Sequence, residues 1–202
     1  YSNYYFQMYC DVRKIIDLLL ENNADINCLN EEGNTSLDSL CGTLDIRDVY
    51  SQNIYFNLIK YMYNKGANPY IINNIYMWAP HKIILGNNYD YDYNYDYRLK
   101  IFKFFCDKNG YNIVNHKDNK GNTILHHICS SGYLKTNGLK LLLELILYHG
   151  ADIYEKNNYG EIPHELINKR NYYPLNIMTF FLNYQKKLID EKNKNLSIIS
   201  KM

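Results

Sequence analysis

The chain has 202 residues, with 22 lysine and arginine residues against 21 aspartate and glutamate residues, and a formal net charge of +1 at pH 7. Hydrophobic residues make up 47% and charged residues 21%, which is ordinary for a folded globular protein and excludes a chain that is disordered throughout. Because the charge is near zero and no basic stripe is present, we expect neither nucleic acid nor an anionic membrane as a partner.

Hydropathy and cysteine content indicate where the chain folds and whether it spans a membrane. The longest apolar run, Leu139 to Leu147, is too short to span a bilayer and contains Glu144, so we expect no membrane span. The chain begins at Tyr1 instead of methionine, which suggests a fragment of a longer protein. The cysteines are odd in number and form no C-x-x-C pair, which predicts a reducing compartment without a disulfide framework or zinc ribbon. They are Cys10, Cys28, Cys41, Cys106 and Cys129.

Four segments in chain order share one pattern: an apolar helical stripe, then Gly or Asn, a small residue, and Asp or Asn. They read KIIDLLLENNADIN ending at Asn27, NLIKYMYNKGANPY ending at Tyr70, KIFKFFCDKNGYNIVN ending at Asn115, and LLLELILYHGADIY ending at Tyr154. Aligning Ala24, Ala67, Tyr111 and Ala151 places the signatures 40 to 44 residues apart. A fixed period of this size predicts a stack of repeated helical units.

A second pattern marks the start of the helix that follows each signature. EEGNTSLDSLCG from Glu31 matches NKGNTILHHICSSG from Asn119 position for position, so Thr35 pairs with Thr123 and Leu37 with Leu125. Thr is a common residue at a helix N-terminus, where its hydroxyl accepts an otherwise unpaired N–H. A weaker pair, APHKIIL and IPHELIN, is aligned with Pro80 on Pro163 and His81 on His164.

The combination of G-x-T-x-L-H with a helix ending in L-L-x-x-G-A-D resembles the ankyrin repeat, a unit of about 33 residues built from a β-turn and two antiparallel helices. The resemblance implies an all-α fold, an ankyrin-repeat solenoid of about five stacked helix-turn-helix units with insertions. We predict units at approximately 1–30, 31–73, 74–117, 118–157 and 158–186, followed by a polar cap or tail at 187–202.

The resemblance also bears on the adjacent histidines in GNTILHHICSSG, which could otherwise be metal ligands or catalysts. In the family the Thr hydroxyl meets the His three residues later, so Thr123 and His126 are expected to form a structural pair, and Cys129 to be a small packing residue. No second ligand pair with zinc spacing and no nucleophile, phosphate or metalloprotease motif is present. We therefore predict no enzyme, no cofactor and no metal site.

The run NNYDYDYNYDYRLK at 87–100 alternates tyrosine with Asp or Asn. One interpretation is a solvated low-complexity insertion. The other is a contact patch for a partner with a basic rim, because tyrosine provides large contact area at low entropic cost.

Tyr/Asn/Ile-rich ankyrin repeats with irregular insertions resemble the ankyrin proteins of poxviruses, which act as host-range and immune-evasion factors. That resemblance implies a scaffold for a host protein in the host cell cytoplasm, with the nucleus as an alternative. A second hypothesis is a substrate-recruiting adaptor of a cullin ubiquitin ligase. GEIPHELIN resembles the start of an F-box but fits a repeat helix better, and no convincing F-box follows Lys186. The predicted contact residues are Glu31, Glu32, Asn73, Asn74, Asp118, Lys120, Asn158 and Tyr159 at the turn tips, with Tyr91, Tyr93 and Tyr95 as a second patch.

Overall fold

A computed structural model describes residues 2–42, 49–73, 78–85, 95–131, 136–169, 179–184, 186–187 and 189–190. Within those ranges the chain is helical and contains no strand, in agreement with the predicted all-α class. The helices are α1 (Ser2–Glu21), α2 (Ser36–Gly42), α3 (Val49–Asn64), α4 (Ala79–Leu85), α5 (Tyr95–Asn109), α6 (Tyr111–Asn115), α7 (Ile124–Ser131) and α8 (Thr136–Tyr148), followed by a 3-10 helix at Pro163–Lys169 and helical residues at 179–184.

Short and long helices form two neighbouring rows. The short helices α2, α4 and α7 and the 3-10 helix each contact the next in that order. Among the long helices, α1 contacts α3, and α5 contacts α8. The rings of Phe56 on α3 and Phe104 on α5 lie 6.0 Å apart, edge to face, which joins the middle of the row. Because α2 also packs on α3 and α4 on α5, a short and a long helix form one structural unit.

The apolar residues of both rows meet in one continuous core. Its largest fully buried side chains include Trp78, Phe102 and Phe105. The leucines of the predicted helix starts, Leu37 and Leu125, have no exposed surface. Each is the second residue of a short helix and packs in this core.

A residue with positive φ follows the end of each long helix: Asn23 (63°), Gly66 (97°), Gly110 (48°) and Gly150 (84°). After three of these, the alanine N–H donates to the carbonyl five residues earlier, as from Ala67 to Met62 at 3.0 Å, a common way to terminate a helix. The third unit differs because its connection to the next turn is one residue longer and forms α6. Tyr111 follows Gly110 as Ala67 follows Gly66, but it begins α6 and is 60% exposed, so it does not take the buried place of Ala67.

The short helices begin at Ser36, Ala79, Ile124 and Pro163, which corrects the predicted register of the weaker pair. Pro163 corresponds to Ala79, not to Pro80, and Glu165 corresponds to His81. A proline is well placed at the first helical position, because the N–H that it lacks would have no partner inside the helix.

Candidate protein-binding surface

Between one long helix and the next short helix the chain makes a tight turn, which we call a tip. In the three tips that the structure describes in full, one Asn or Asp side chain accepts the N–H groups two and four residues later at 2.8–3.0 Å. Three residues after it comes a glycine with φ of 73° to 77°, a conformation that only glycine adopts without strain. These residues are Asn30 with Gly33, Asp118 with Gly121, and Asn157 with Gly160.

Neighbouring tips are joined by amide side chains. Asn157 Nδ2 donates to Asn122 Oδ1 of the preceding tip at 3.0 Å. Asn73 Nδ2 donates to Asn34 Oδ1 in the equivalent way at 2.8 Å. These bonds join the first tip to the second and the third tip to the fourth.

The last two tips make an additional backbone contact. The Asn158 N–H donates to the Lys120 carbonyl at 2.9 Å. The two chains pass so closely that a Cβ atom at Gly121 would lie 2.5 Å from Asn158 Oδ1 and 2.7 Å from its backbone nitrogen. Glycine is required at position 121 both for its positive φ and for this approach.

In the three tips described in full, the N–H just before the next helix donates to the side chain three residues later. Thr123 donates its backbone N–H to His126 Nδ1 at 3.1 Å, and the Thr123 hydroxyl lies 2.9 Å from the same nitrogen. The imidazole proton is therefore on Nε2, which donates to the Glu161 carbonyl of the following tip at 3.1 Å. His126 thus links the start of α7 to the next tip, and burial lowers its pKa.

The unit comprising a tip, α7, α8 and the next signature is the region that matches a known family. Residues 120–158 match the ankyrin repeat. A comparison with curated proteins finds no match to the chain. The ankyrin repeat thus covers the adjacent histidines, the Gly121 turn and the Gly150-Ala151-Asp152 signature.

Five of the predicted contact residues lie exposed on the tips. Tyr159, beside the end of the ankyrin repeat, is 70% exposed. Glu32 Oε2 accepts a hydrogen bond from Asn34 Nδ2 at 2.8 Å. Asn158 is exposed but also ties two tips together, because its Nδ2 donates to the Asn119 carbonyl at 3.0 Å. The exposed set is Glu31, Glu32, Lys120, Asn158 and Tyr159.

Two predicted contact residues are buried, which corrects their assignment to an exposed surface. Asn73 is 3% exposed and Asp118 is 6% exposed. Both occupy the turn-forming position of a tip, which must face inward to accept the turn's N–H groups or to reach the neighbouring tip. Asn74, Tyr91 and Tyr93 lie outside the described residues, as does the side chain of Tyr95, the first residue of α5.

A second candidate surface, which sequence reasoning missed, is an apolar groove of about 720 Å³ between α1, α2 and α3. Leu19 of α1 is 53% exposed, whereas Met62 and Ile146, which accept the equivalent alanine N–H, are 6% and 0% exposed. The N-terminal long helix thus leaves open a surface that its successors cover. We call this surface the N-terminal groove; its apolar lining includes Ile16, Leu19, Leu20, Leu40, Leu58 and Met62.

The described residues also bear on metal binding, cysteine chemistry and membrane insertion. Within the described ranges, no group of three His, Cys, Asp or Glu side chains is placed to hold a metal ion. Burial raises the pKa of the Cys41 and Cys129 thiols, so both behave as small apolar side chains. No helix in the part of the chain that the structure describes is long and apolar enough to cross a membrane.

Proposed function

We propose that the chain is a protein-interaction scaffold, an ankyrin solenoid of five units in which the row of tips contacts a partner. The observation that carries the proposal is the ankyrin repeat at 120–158, since ankyrin repeats generally mediate protein–protein interaction. The fixed backbone of the tips supports it, because contact residues on a rigid scaffold are not ordered at entropic cost on binding.

The chemistry of the exposed tips differs along the row. The first tip presents two carboxylates, Glu31 and Glu32. The last two present the cation of Lys120 and the ring of Tyr159, which is 70% exposed. A partner that uses the whole row therefore needs basic groups at one end and an acidic group with an apolar pocket at the other.

Binding can be tested with variants that leave the turns intact. Replacing Glu31, Lys120 and Tyr159 together with serine should reduce capture of a partner while retaining helicity, since their side chains are exposed. Lys108→Ser with Glu21→Ser, at exposed ends of two long helices, is the matched control. If the control variant loses the partner and the tip variant retains it, the tips are not the binding surface.

We further propose that the partner is a host protein and the chain a viral host-range or immune-evasion factor, acting in the cytoplasm or nucleus of the infected cell. Its basis is the resemblance of the Tyr/Asn/Ile-rich repeats to poxvirus ankyrin proteins. The second candidate, an adaptor of a cullin ubiquitin ligase, is favoured by the F-box-like start of GEIPHELIN. That segment begins the 3-10 helix and contacts α7, as a repeat helix would.

Affinity purification from host cells with mass spectrometry separates these candidates. Sequestration predicts a captured host protein whose abundance is unchanged by cullin inhibition. Adaptor function predicts cullin components in the captured set and a host protein that accumulates on inhibition. Sub-micromolar, sequence-dependent retardation of duplex DNA or RNA at physiological salt would instead contradict the scaffold proposal, because a net charge of +1 predicts weak, unspecific binding.

A further inference from the structure

Three histidines and one tryptophan form a cluster where the third and fourth units meet. His81 lies on α4, His116 follows α6, and His127 lies on α7. The Trp78 ring centroid is 4.4 Å from that of His81 and 5.0 Å from that of His116, and the His81 and His127 rings are 4.5 Å apart. Trp78 and His81 have no exposed surface.

Of these imidazoles, only that of His127 has a carboxylate of the described ranges within reach. His127 Nε2 lies 2.9 Å from Asp118 Oδ2. Both ring nitrogens of His81 and Nε2 of His116 are buried and lack a hydrogen-bond partner in the structure as described. A proton added to either of them would create a buried charge without a counter-ion, which is unfavourable.

Among the residues that the structure describes, the surrounding elements supply no further anion close to His81. The groups whose charges act on it are His127, Asp118 and His116. Towards α4, helix α2 contributes Asp38, which is held by Thr35 and lies near Lys82 of α4 itself. From α5 the buried titratable groups are Tyr97 and Cys106, whose pKa values are raised by burial, so both are neutral near pH 6.

We propose that His81, His116, His127 and Asp118, here called the histidine junction, form an acid-sensitive joint at which protonation separates the third unit from the fourth. This device does not depend on which partner the tips bind. In general acid unfolding the whole chain loses its helices, whereas here the stack should open at one junction while the helices persist.

The direction of the effect follows from burial. Burial lowers the pKa of His81 well below its usual value and also lowers that of His116. The open state therefore accepts protons from about pH 6.5 downward, whereas the closed state does not. Closed-state stability is complete above that pH and is lost as the pH falls, with the open-to-closed ratio rising about tenfold per pH unit for each proton.

The sequence provides a specific probe, because Trp78 is the only tryptophan in the chain. Its fluorescence can be followed from about pH 7.5 to about pH 4.5 beside the helical circular dichroism signal. We expect the Trp78 emission to shift below pH 6.5, before helicity is lost, with a steepness of about two protons. A single transition in which both signals change together would overturn the proposal.

Two substitutions should move that transition in opposite directions. His81→Met removes one protonation site and keeps a side chain that packs against an aromatic ring, so the steepness should fall to about one proton and the midpoint to a lower pH. Asp118→Asn keeps the turn, since Asn30 and Asn157 hold the same position, but removes the counter-ion of His127. Its midpoint should move to a higher pH.

His164→Met, on the 3-10 helix beyond α8, is the control and should leave the Trp78 midpoint unchanged. An equal shift in that variant would show that the response is global and would overturn the proposal. If His81→Met does not fold, His116→Met makes the same test, because it removes the other buried imidazole nitrogen that lacks a partner, Nε2 of His116. An unchanged midpoint in the folded variant of this pair would also overturn it.

Discussion

Helices α2 and α7 begin with the same motif and close it with different chemistry. In α7 the Thr123 N–H donates to the imidazole of His126 at 3.1 Å, and in α2 the Thr35 N–H donates to the carboxylate of Asp38 at 3.2 Å. Either group satisfies the free N–H at a helix start. The imidazole has a second nitrogen that reaches the Glu161 carbonyl of the next tip, whereas the carboxylate brings a charge into the interior.

The two helices also differ in what covers them. Helix α7 packs between α4 and the 3-10 helix, and its Ile128 is 1% exposed. Leu40, at the equivalent place in α2, is only half-buried and lines the N-terminal groove. Equivalent sequences thus acquire different burial from their neighbours, as expected where each unit is stabilised mainly by the next.

The largest contrast should come from the core leucines. Leu125→Ala in α7 should lower the free energy of unfolding by about 2–5 kcal/mol through lost burial and a cavity. Leu40→Ala in α2 should cost about 1 kcal/mol or less, because the side chain already contacts solvent in the groove. Urea unfolding followed by circular dichroism measures both values. A Leu125→Ala protein as stable as the parent would mean that the repeat register is wrong.

A smaller effect separates the two glycine turns that flank α7 and the 3-10 helix. Gly121→Ala and Gly160→Ala both place a side chain at positive φ, which costs about 1–2 kcal/mol. Only position 121 also meets another chain segment, since a Cβ at Gly160 has nothing within 4 Å. Thermal unfolding should therefore show a clearly larger loss for Gly121→Ala. Equal losses would indicate that the contact with Asn158 adds no stability.

Acidification should affect the two caps in opposite directions. Burial lowers the pKa of His126, so stability from its neutral form is present above about pH 6.5 and is lost as the pH falls. Burial raises the pKa of Asp38, so the cost of its buried charge is present at neutral pH and disappears on acidification.

Hydrogen exchange can resolve the caps through the first helical N–H groups, Ser39 to the Thr35 carbonyl and His127 to the Thr123 carbonyl. After correction for intrinsic rates, protection at His127 should fall towards pH 5 while protection at Ser39 is retained. His126→Gln keeps an acceptor at the cap without a titrating group, and should reduce the loss at His127. Earlier loss at Ser39 would contradict this account.

The smallest effect on stability is expected outside both helices. Replacing Tyr91, Tyr93 and Tyr95 with serine should change the melting temperature very little, since the run 87–100 lies in the connection before and at the start of α5. If the run is a contact patch, the variant should lose a captured partner while it remains folded. If it is a low-complexity insertion, capture should persist.

Local signals in the sequence identified most helices and the caps at Thr35 and Thr123. The sequence predicts features that depend on a few neighbouring residues, such as the positive-φ residues at the ends of the long helices. Matching Pro163 to Pro80 because both are prolines gives the wrong register, since proline prefers the first helical position. A helical period likewise could not reveal the extra residue after Gly110.

Features that arise between units were not accessible to the same reasoning. The burial of Asn73 and Asp118 depends on turns folding inward against the neighbouring unit. Similarly, His81 and His127 lie far apart in the sequence and meet only because α4 packs on α7. The N-terminal groove is open because Leu19 and its neighbours on α1 are not covered. The apolar pattern of α1 is the same as that of a covered helix, so the sequence does not reveal the groove.

In alternate units, an asparagine side chain joins the end of one long helix to the end of the next. Asn27 accepts the Asn68 N–H and donates to the Gly66 carbonyl, and Asn115 binds Asp152 and Gly150 in the same way. The corresponding residues between and after them are Tyr70 and Tyr154. Asparagine and tyrosine therefore alternate at this position from unit to unit. The number of residues from Asn27 to Asn115 equals that from Asn30 to Asp118 and that from Thr35 to Thr123. These side chains therefore repeat over two units, twice the period of the helices that carry them.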